Sequence, residues 1–169
     1  MPEAVRMFTR ALAGWLALAT GVALLDQMSK YAISHTLAHG RDITVTPFFK
    51  LVLVYNPGAA FSFLSSASGW QREFFIGIAV AASVWIGYLL VRHAGERLFC
   101  FALALILGGA IGNVIDRVRL GAVVDFLHFH AGGYSFPAFN LADSAITCGA
   151  VLLIWDGWFR RGAGNDAKA

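Results

Sequence analysis

The stretch FPAFNLADSAITCGAVLLIW, residues 136–155, has the length and apolar composition of a membrane span, yet it carries Asn140 and Asp143 near its start. A carboxylate in hydrocarbon costs about 2.5 kcal/mol or more on insertion scales, so an ionisable residue at such a position is a candidate for function. The spacing i, i+3 places both side chains on one helix face. There they could also serve only as an N-cap and a favourable charge at the helix N-terminus.

The composition of the whole chain agrees with a membrane location. Of its 169 residues 58% are hydrophobic and only 14% are charged, and the mean hydropathy is +0.66. Soluble domains carry about 25% charged residues, so an ordinary water-soluble globule is excluded and an integral membrane protein is indicated. The net charge of +3 calls for no nucleic-acid partner, because basic residues that flank membrane spans account for it.

Four apolar segments are long enough, or nearly so, to cross about 30 Å of hydrocarbon. We predict an all-α polytopic protein with four transmembrane helices in one domain of residues 1–169. The predicted spans are 11–35, 72–92, 97–117 and 138–159. An even number of spans places both termini on one side. The basic residues divide almost evenly between the two sides and favour cytoplasmic termini only weakly.

The segment between the first two spans has a different pattern. Residues 43–63 are rich in β-branched and aromatic side chains in imperfect alternation, with an Asn-Pro-Gly turn at 56–58. This pattern predicts a small extramembrane β-sheet. Residues 68–75 then predict a short interfacial helix, with Trp70 at the level of the lipid headgroups.

Polar residues recur at or near the ends of the predicted spans, where they either anchor helices at the interface or support a site. Asp26 and Lys30 are spaced i, i+4, so they can pair on one helix face. Asn56 begins the Asn-Pro-Gly turn, which could be its only role.

The third span ends in a denser group of such residues. Gly108 and Gly112 form a G-x-x-x-G pattern, which predicts close packing against another membrane helix. Asn113, Asp116 and Arg117 follow at i, i+3 and i+4. Asp116 and Arg117 could form a neutralised pair where the helix leaves the membrane, or they could belong to a site.

Asp125 lies among apolar residues, eighteen positions before Asp143. Gly132, Gly133 and Pro137 lie between them, so the chain can reverse and bring both aspartates to one membrane face. Two carboxyl groups in a partly dry site share a proton. The ionised one can activate water while the other protonates an oxygen. The pair therefore has the groups that peptide-bond hydrolysis without a metal or a covalent intermediate requires. The residues alone predict a polytopic membrane protein with a carboxylate-rich site near one membrane face.

Other chemistries have weaker support. The chain has no H-E-x-x-H, G-x-S-x-G or glycine-rich phosphate loop. Ser29 beside Lys30 leaves a serine–lysine mechanism open, and His128 with His130 is weak evidence for a metal. We predict no metal and no cofactor. A proton-coupled transporter that uses intramembrane carboxylates remains the main alternative, although no inverted repeat is visible. A non-catalytic binding scaffold is a further one.

Five ordered blocks complete the pattern: DQMSK (26–30), NPGAAFSF (56–63), GGAIGNVIDR (108–117), VVDF (123–126) and FNLADSAI (139–146). In order and spacing they resemble the lipoprotein signal peptidases, or signal peptidase II, over residues 12–160. Pro57 stands where many members carry Thr. The resemblance implies an aspartic endopeptidase of the bacterial inner membrane that removes signal peptides from diacylglyceryl-modified prolipoproteins. It would cleave just before the lipidated cysteine.

The resemblance also assigns residues and surroundings. The catalytic dyad falls on Asp125 and Asp143, and the other polar site positions are Asp26, Lys30, Asn56, Asn113, Asp116, Arg117 and Asn140. Asp116 remains an alternative second aspartate, but its neighbour Arg117 could neutralise it, so Asp125 is preferred. We expect a monomer among phospholipids, with its active site near the periplasmic face, residues 43–63 cradling the substrate and residues 68–75 as a possible lid.

Overall fold

The computed structural model describes residues 3–38, 41–58 and 70–166. Four long helices and four strands follow one another along the chain. They are α1 (Glu3–Thr36), β1 (Asp42–Thr46), β2 (Phe49–Asn56), α2 (Gln71–Arg92), α3 (Arg97–Leu120), β3 (Val123–Ala131), β4 (Tyr134–Ser135) and α4 (Leu141–Asp166). The predicted class of a mostly helical protein with a small sheet is confirmed.

Three of the helices are long and apolar enough to cross a membrane. These spans are Met7–Thr36, Gln71–Arg92 and Arg97–Leu120, with mean hydropathies of 1.5, 2.3 and 2.3. They agree with the first three predicted spans to within a few residues, and the fourth span stays a prediction. The predicted interfacial helix over 68–75 is not a separate element in the described part of the chain: residues 71–75 begin α2, and residues 68 and 69 lie outside the described residues.

Helix α3 lies at the centre because its glycines admit two neighbours. A Cβ atom on Gly108 would lie 2.5 Å from the carbonyl oxygen of Ala19 on α1, and one on Gly109 would collide with the carbonyl oxygen of Ala142 on α4. The G-x-x-x-G spacing thus marks a true close-packing face. Around it, Ala19, Leu90, Cys100, Leu103 and Ala104 belong to one buried cluster.

The sheet is larger than the sequence predicts. Its four strands are antiparallel in the order β1-β2-β3-β4. The predicted β-rich segment 43–63 supplies only two of them, β1 and β2, and its residues 59–63 lie outside the described residues. The other half, β3 and β4, follows α3. Gly121, in the left-handed conformation, ends α3. Gly132 and Gly133, at φ of 55° and 84°, form the tight turn from β3 to β4.

Pairing of β2 with β3 brings distant polar residues together. Val54 lies opposite Asp125 and Asn56 opposite Val123. Because β2 follows α1 and β3 follows α3, the sheet sits over the ends of both helices. The polar residues at those ends therefore meet the polar residues of the strands.

Candidate active site

Asp125 lies in the buried half of β3 and is only 2% exposed. Its two oxygens accept hydrogen bonds from different asparagines: Oδ1 from Nδ2 of Asn140 at 2.8 Å, and Oδ2 from Nδ2 of Asn56 at 3.1 Å. Burial, and after it the negative charge of Asp143, raises the pKa of Asp125 from its usual 3.8 to about 7. A group that titrates near neutrality can give and take a proton at working pH.

Asp143 lies in the first turn of α4 and is half-buried. Its Oδ1 accepts a hydrogen bond from Nδ2 of Asn113 at 2.8 Å, and its Oδ2 accepts one from the backbone N–H of Asn140 at 3.2 Å. Asn140 accepts in return, through Oδ1, from the N–H of Asp143 at 2.9 Å. This reciprocal arrangement caps the helix and fixes the carboxyl group of Asp143 beside Asn113.

Both aspartates line one cavity of about 520 Å³. One wall is polar, with Asn56, Asn113 and Arg117, and another is apolar. The apolar wall includes Val123, Phe136, Phe139, Ile146 and Cys148. A second groove of about 440 Å³ reaches Asp125 from the sheet side, between β2 and the β3–β4 hairpin. Asp125 thus borders both an apolar chamber between helices and an open groove along the strands.

A buried ion cluster lies behind the cavity. Nζ of Lys30, which is 3% exposed, lies 2.8 Å from Oδ2 of Asp26 and 2.8 Å from Oδ2 of Asp116. The backbone N–H groups of Ala142 and Val124 donate to Asp26 and Asp116 respectively. One ammonium and two carboxylates therefore tie α1, α3, β3 and α4 together beneath the two cavity aspartates.

This cluster confirms the predicted pairing of Asp26 with Lys30 and corrects the suggested pairing of Asp116 with Arg117. The ion pair of Asp116 is with Lys30, because consecutive helix residues point in different directions and do not face each other. Asp116 does not line the cavity that Asp125 and Asp143 share. It lies in the ion cluster behind that cavity.

Arg117 points to the cavity instead. Its Nη2 donates to the carbonyl oxygen of Gly58 at 3.1 Å, and its guanidinium carbon lies 5.1 Å from the centre of the Phe75 ring. Sequence reasoning missed Arg72, whose Nε and Nη2 donate to the carbonyl oxygens of Arg117 and Val118 at 2.8 and 2.9 Å. Arg72 thereby fixes the end of α3 from which Arg117 projects.

Sequence reasoning also missed Gln27. Its Nε2 donates to Oδ1 of Asp116 at 2.8 Å and to the carbonyl oxygen of Gly112 at 3.1 Å. The block DQMSK contains it, but spacing alone singles out the charged residues at its two ends. The sequence feature that could have identified Gln27 is its position as a polar residue inside an otherwise apolar helix.

Comparison with known proteins agrees with this geometry. The family model described as signal peptidase (SPase) II matches residues 18–159. The chain belongs to the signal peptidase II family. The lipoprotein signal peptidase of Burkholderia vietnamiensis (strain G4) is 62% identical over 146 residues, covering 86% of this chain and 88% of that protein. That of Janthinobacterium sp. (strain Marseille) is 61% identical over 142 residues, covering 84% and 86%.

Solved structures agree on the fold. A bacterial membrane enzyme determined by the in meso method at 2.3 Å resolution matches with a TM-score of 0.77 and 35% identity, over 85% of this chain and 87% of that one. A second, at 1.9 Å, matches with a TM-score of 0.75 and 35% identity, over 85% and 92%. This signal peptidase II is therefore an integral membrane protein and an aspartic-type protease, and the transporter alternative is not favoured.

The histidines of β3 are not gathered with other metal-ligating side chains. No group of three or more His, Cys, Asp or Glu residues with metal-binding geometry occurs within residues 3–38, 41–58 and 70–166. Nε2 of His128 lies 2.7 Å from Oγ of Ser135 on β4. His128 therefore links the β3–β4 hairpin across the mouth of the sheet-side groove.

The raised pKa of Asp125 predicts a dependence of stability on pH. The carboxyl group binds its proton more tightly in the folded than in the unfolded state. Its contribution to stability is full below about pH 4 and is lost as the pH rises through about 7. The side chain in Asp125→Asn does not ionise, so the variant does not lose this stability as the pH rises. We expect the melting temperature of Asp125→Asn in detergent, relative to that of the wild type, to be higher at pH 8 than at pH 4; equal differences at both pH values would contradict the raised pKa.

Proposed function

We propose that Asp125 and Asp143 form the catalytic dyad, and that Asn56, Asn113 and Asn140 hold its carboxyl groups. The observation that carries the proposal is that both carboxyl groups line one cavity and each accepts hydrogen bonds from two separate N–H donors. Carboxyl pairs of this kind act in turn as general acid and general base. The dyad therefore supplies the aspartic chemistry of the family from this chain's own residues.

The two aspartates have different roles in this proposal. Asp143 lies at the N-terminus of α4, where the helix dipole favours a negative charge, and it takes a proton from the attacking water. Asp125, with its raised pKa, carries the proton that passes to the carbonyl oxygen of the scissile bond. The C–N bond of the tetrahedral intermediate then breaks as its nitrogen takes the proton from Asp143, and one of its hydroxyl groups returns a proton to Asp125.

The substrate is a prolipoprotein that carries diacylglycerol on a cysteine, and cleavage falls just before that cysteine. The cavity supports this choice because its apolar wall, on α4 and β3, suits acyl chains and lies beside the carboxyl groups. The open groove along β2 and the hairpin suits the extended polypeptide outside the membrane. The strands of the 43–63 segment thereby cradle the substrate, with no cofactor or metal taking part.

Helix α4 is the fourth span. It packs closely on α3, since a Cβ on Gly149 would lie 2.6 Å from the carbonyl oxygen of Ala102. On its other side Val151, Ile154, Trp155 and Trp158 are more than half exposed, which fits contact with phospholipid tails. The sheet and the dyad then lie at the periplasmic face of the inner membrane, and both termini lie in the cytoplasm. The enzyme acts as a single domain and as a monomer.

The deciding experiment for this function is a gel-shift cleavage assay with purified enzyme in detergent. The substrate is a prolipoprotein confirmed to carry its diacylglyceryl group, with the unlipidated protein as control. We expect cleavage of the lipidated form only. A requirement for a sealed membrane and a proton gradient would instead favour transport.

Arg117 orients the substrate's backbone or the groups next to its lipid, assisted by Asn113. We expect Arg117→Ala to lower kcat/KM at least about tenfold, because a charged hydrogen-bond donor contributes about 1.5–3 kcal/mol. The matched control is Arg119→Ala, two residues further along α3 and exposed. The measurement is the initial rate on lipidated substrate, and an unchanged rate in Arg117→Ala would show that Arg117 has no such role.

A further inference from the structure

The orientation of each of the three asparagines around the dyad is set by the hydrogen-bond donor to its amide oxygen. Oδ1 of Asn56 accepts from the N–H of Gly58 at 3.1 Å, and Oδ1 of Asn140 accepts from the N–H of Asp143 at 2.9 Å. A side-chain amide has its acceptor and its donors on opposite sides. Once the oxygen is bound to an N–H group, the NH₂ group must face the other way, towards a carboxyl group of the dyad.

Asn113 is oriented differently, because a charged side chain binds its oxygen. Nζ of Lys30 donates to Oδ1 of Asn113 at 2.9 Å, and Nδ2 of Asn113 donates to Asp143 at 2.8 Å. An ammonium group has no acceptor, so the NH₂ group of Asn113 cannot turn towards Lys30. Nδ2 of Asn140 also donates to Oδ1 of Asn113, at 3.2 Å, and strengthens the same orientation.

The ammonium group of Lys30 is itself held in one position by its hydrogen-bond acceptors. An ammonium group has three N–H donors, and the three acceptors around Lys30 are Asp26, Asp116 and Asn113, at 2.8, 2.8 and 2.9 Å. All three protons are thus committed. The side chain is 3% exposed, so water does not compete for them.

We propose that Lys30 is a positioning residue for the peptidase reaction, because its ammonium group keeps the NH₂ group of Asn113 turned towards Asp143. Lys30 does not line the cavity and reaches Asp143 through Asn113, while its positive charge also limits the rise that burial causes in the pKa of Asp125. The inference rests on the proposed dyad and adds to it a reason for a buried lysine behind the site. The hydrogen bond from Asn113 holds the carboxyl group of Asp143 in one orientation in the cavity, where it meets the attacking water.

Loss of Lys30 leaves only the longer hydrogen bond from Asn140 to hold the oxygen of Asn113, so the amide can rotate more easily. Its oxygen can then face Asp143, and contact between two acceptors favours protonation of the aspartate. The charged groups near Asp143 are Asp125 from β3 and Arg117 from α3, and the cluster of Lys30, Asp26 and Asp116 lies behind Asn113. The test therefore compares two variants in which Asp125, Arg117 and Asp116 are kept and Asp26 is changed in both.

Removal of Lys30 alone would leave two buried carboxylates without a counter-ion, and the protein could fail to fold. The informative pair is Asp26→Asn, as reference, and Asp26→Asn combined with Lys30→Met. The double variant keeps one net negative charge in the cluster, as in the wild type, and asparagine can still accept from the N–H of Ala142. Elution profile and melting temperature establish that both variants are folded.

The measured quantities are kcat and KM for lipidated prolipoprotein between pH 5 and 9. Relative to the wild type, whose cluster carries the same net charge, and relative to Asp26→Asn, we expect the double variant to lose about 10–100-fold in kcat at pH 6 with little change in KM. The acid limb of its kcat profile should move to higher pH, so that activity partly recovers at pH 8. A purely structural role would lower kcat equally at every pH, and that result, or an unmoved acid limb, would overturn the proposal.

Asn113→Ala provides a second test that leaves the three charges of the ion cluster in place. It offers no N–H group to Asp143 and adds no charge beside it, so we expect the same upward movement of the acid limb. An unmoved limb in this variant would also overturn the inference. If the proposed assignment of the dyad is itself wrong, Asp125→Asn or Asp143→Asn will still cleave the substrate, and this result is distinct from the two above.

Discussion

Replacement of either Asp125 or Asp143 by asparagine is expected to lower the rate of prolipoprotein cleavage by about 10³-fold or more. General acid–base groups contribute about 10²–10⁴-fold each, and in a dyad neither carboxyl group can replace the other. Asparagine keeps the shape of the side chain but removes its titratable proton and replaces one acceptor oxygen with an NH₂ donor. The measurement is the gel-shift assay in detergent, extended to long incubation so that a residual rate can be quantified.

The matched control for this prediction is Asp116→Asn, since Asp116 is buried and hydrogen-bonded like Asp125 but does not line the cavity. We expect it to lower the melting temperature, because Lys30 loses one of its two counter-ions, while cleavage persists at a measurable rate. Complete loss in Asp116→Asn, with cleavage retained in Asp125→Asn, would assign the second catalytic position to Asp116.

Local patterns in the sequence were sufficient to predict the helices and the relation between Asn140 and Asp143. Long apolar runs leave little choice but membrane helices, and the i, i+3 spacing follows from helix geometry alone. The capping arrangement of these two residues is a local consequence of where α4 begins. Such features need no knowledge of the rest of the fold.

Features that depend on distant pairing were not predictable from residues alone. Asn56 donates to Asp125 across 69 positions of the chain, and only the pairing of β2 with β3 creates that contact. The half of the sheet after α3 was missed for the same reason. For Asp116 the sequence leaves open a pair with its neighbour Arg117, whereas the structure pairs it with Lys30 from α1.

The blocks shared with the family filled part of this gap, because they mark polar residues that belong together without saying how they meet. The structure shows which of these residues contact one another. The asparagines touch the aspartates, and the ions lie behind the asparagines. We therefore expect substitutions of the aspartates to abolish the chemistry, and substitutions of Asn113 or Lys30 to change its pH dependence.

Gly109→Ala is expected to have the second large effect, through packing rather than chemistry. A Cβ atom at this position would collide with the carbonyl oxygen of Ala142 and lie 2.8 Å from Cγ1 of Ile146. A backbone oxygen cannot move aside without the helix to which it belongs. Helix α4 must therefore shift away from α3, and Asp143, the residue after Ala142, must shift with it.

Overpacking of this kind costs about 1–3 kcal/mol or more, and displacement of a catalytic group by about 1 Å can cost about 10²-fold in rate. We expect Gly109→Ala to lower both the melting temperature and the cleavage rate, the latter by about 10²-fold in the fraction that remains folded. Gly77→Ala on α2 is the control, since no atom lies within 4 Å of a Cβ placed there. Alanine also favours a helix over glycine by about 1 kcal/mol, so this control should be as stable as the wild type or more so. If Gly109→Ala melts and cleaves like Gly77→Ala, the close contact between α3 and α4 does not set the position of Asp143.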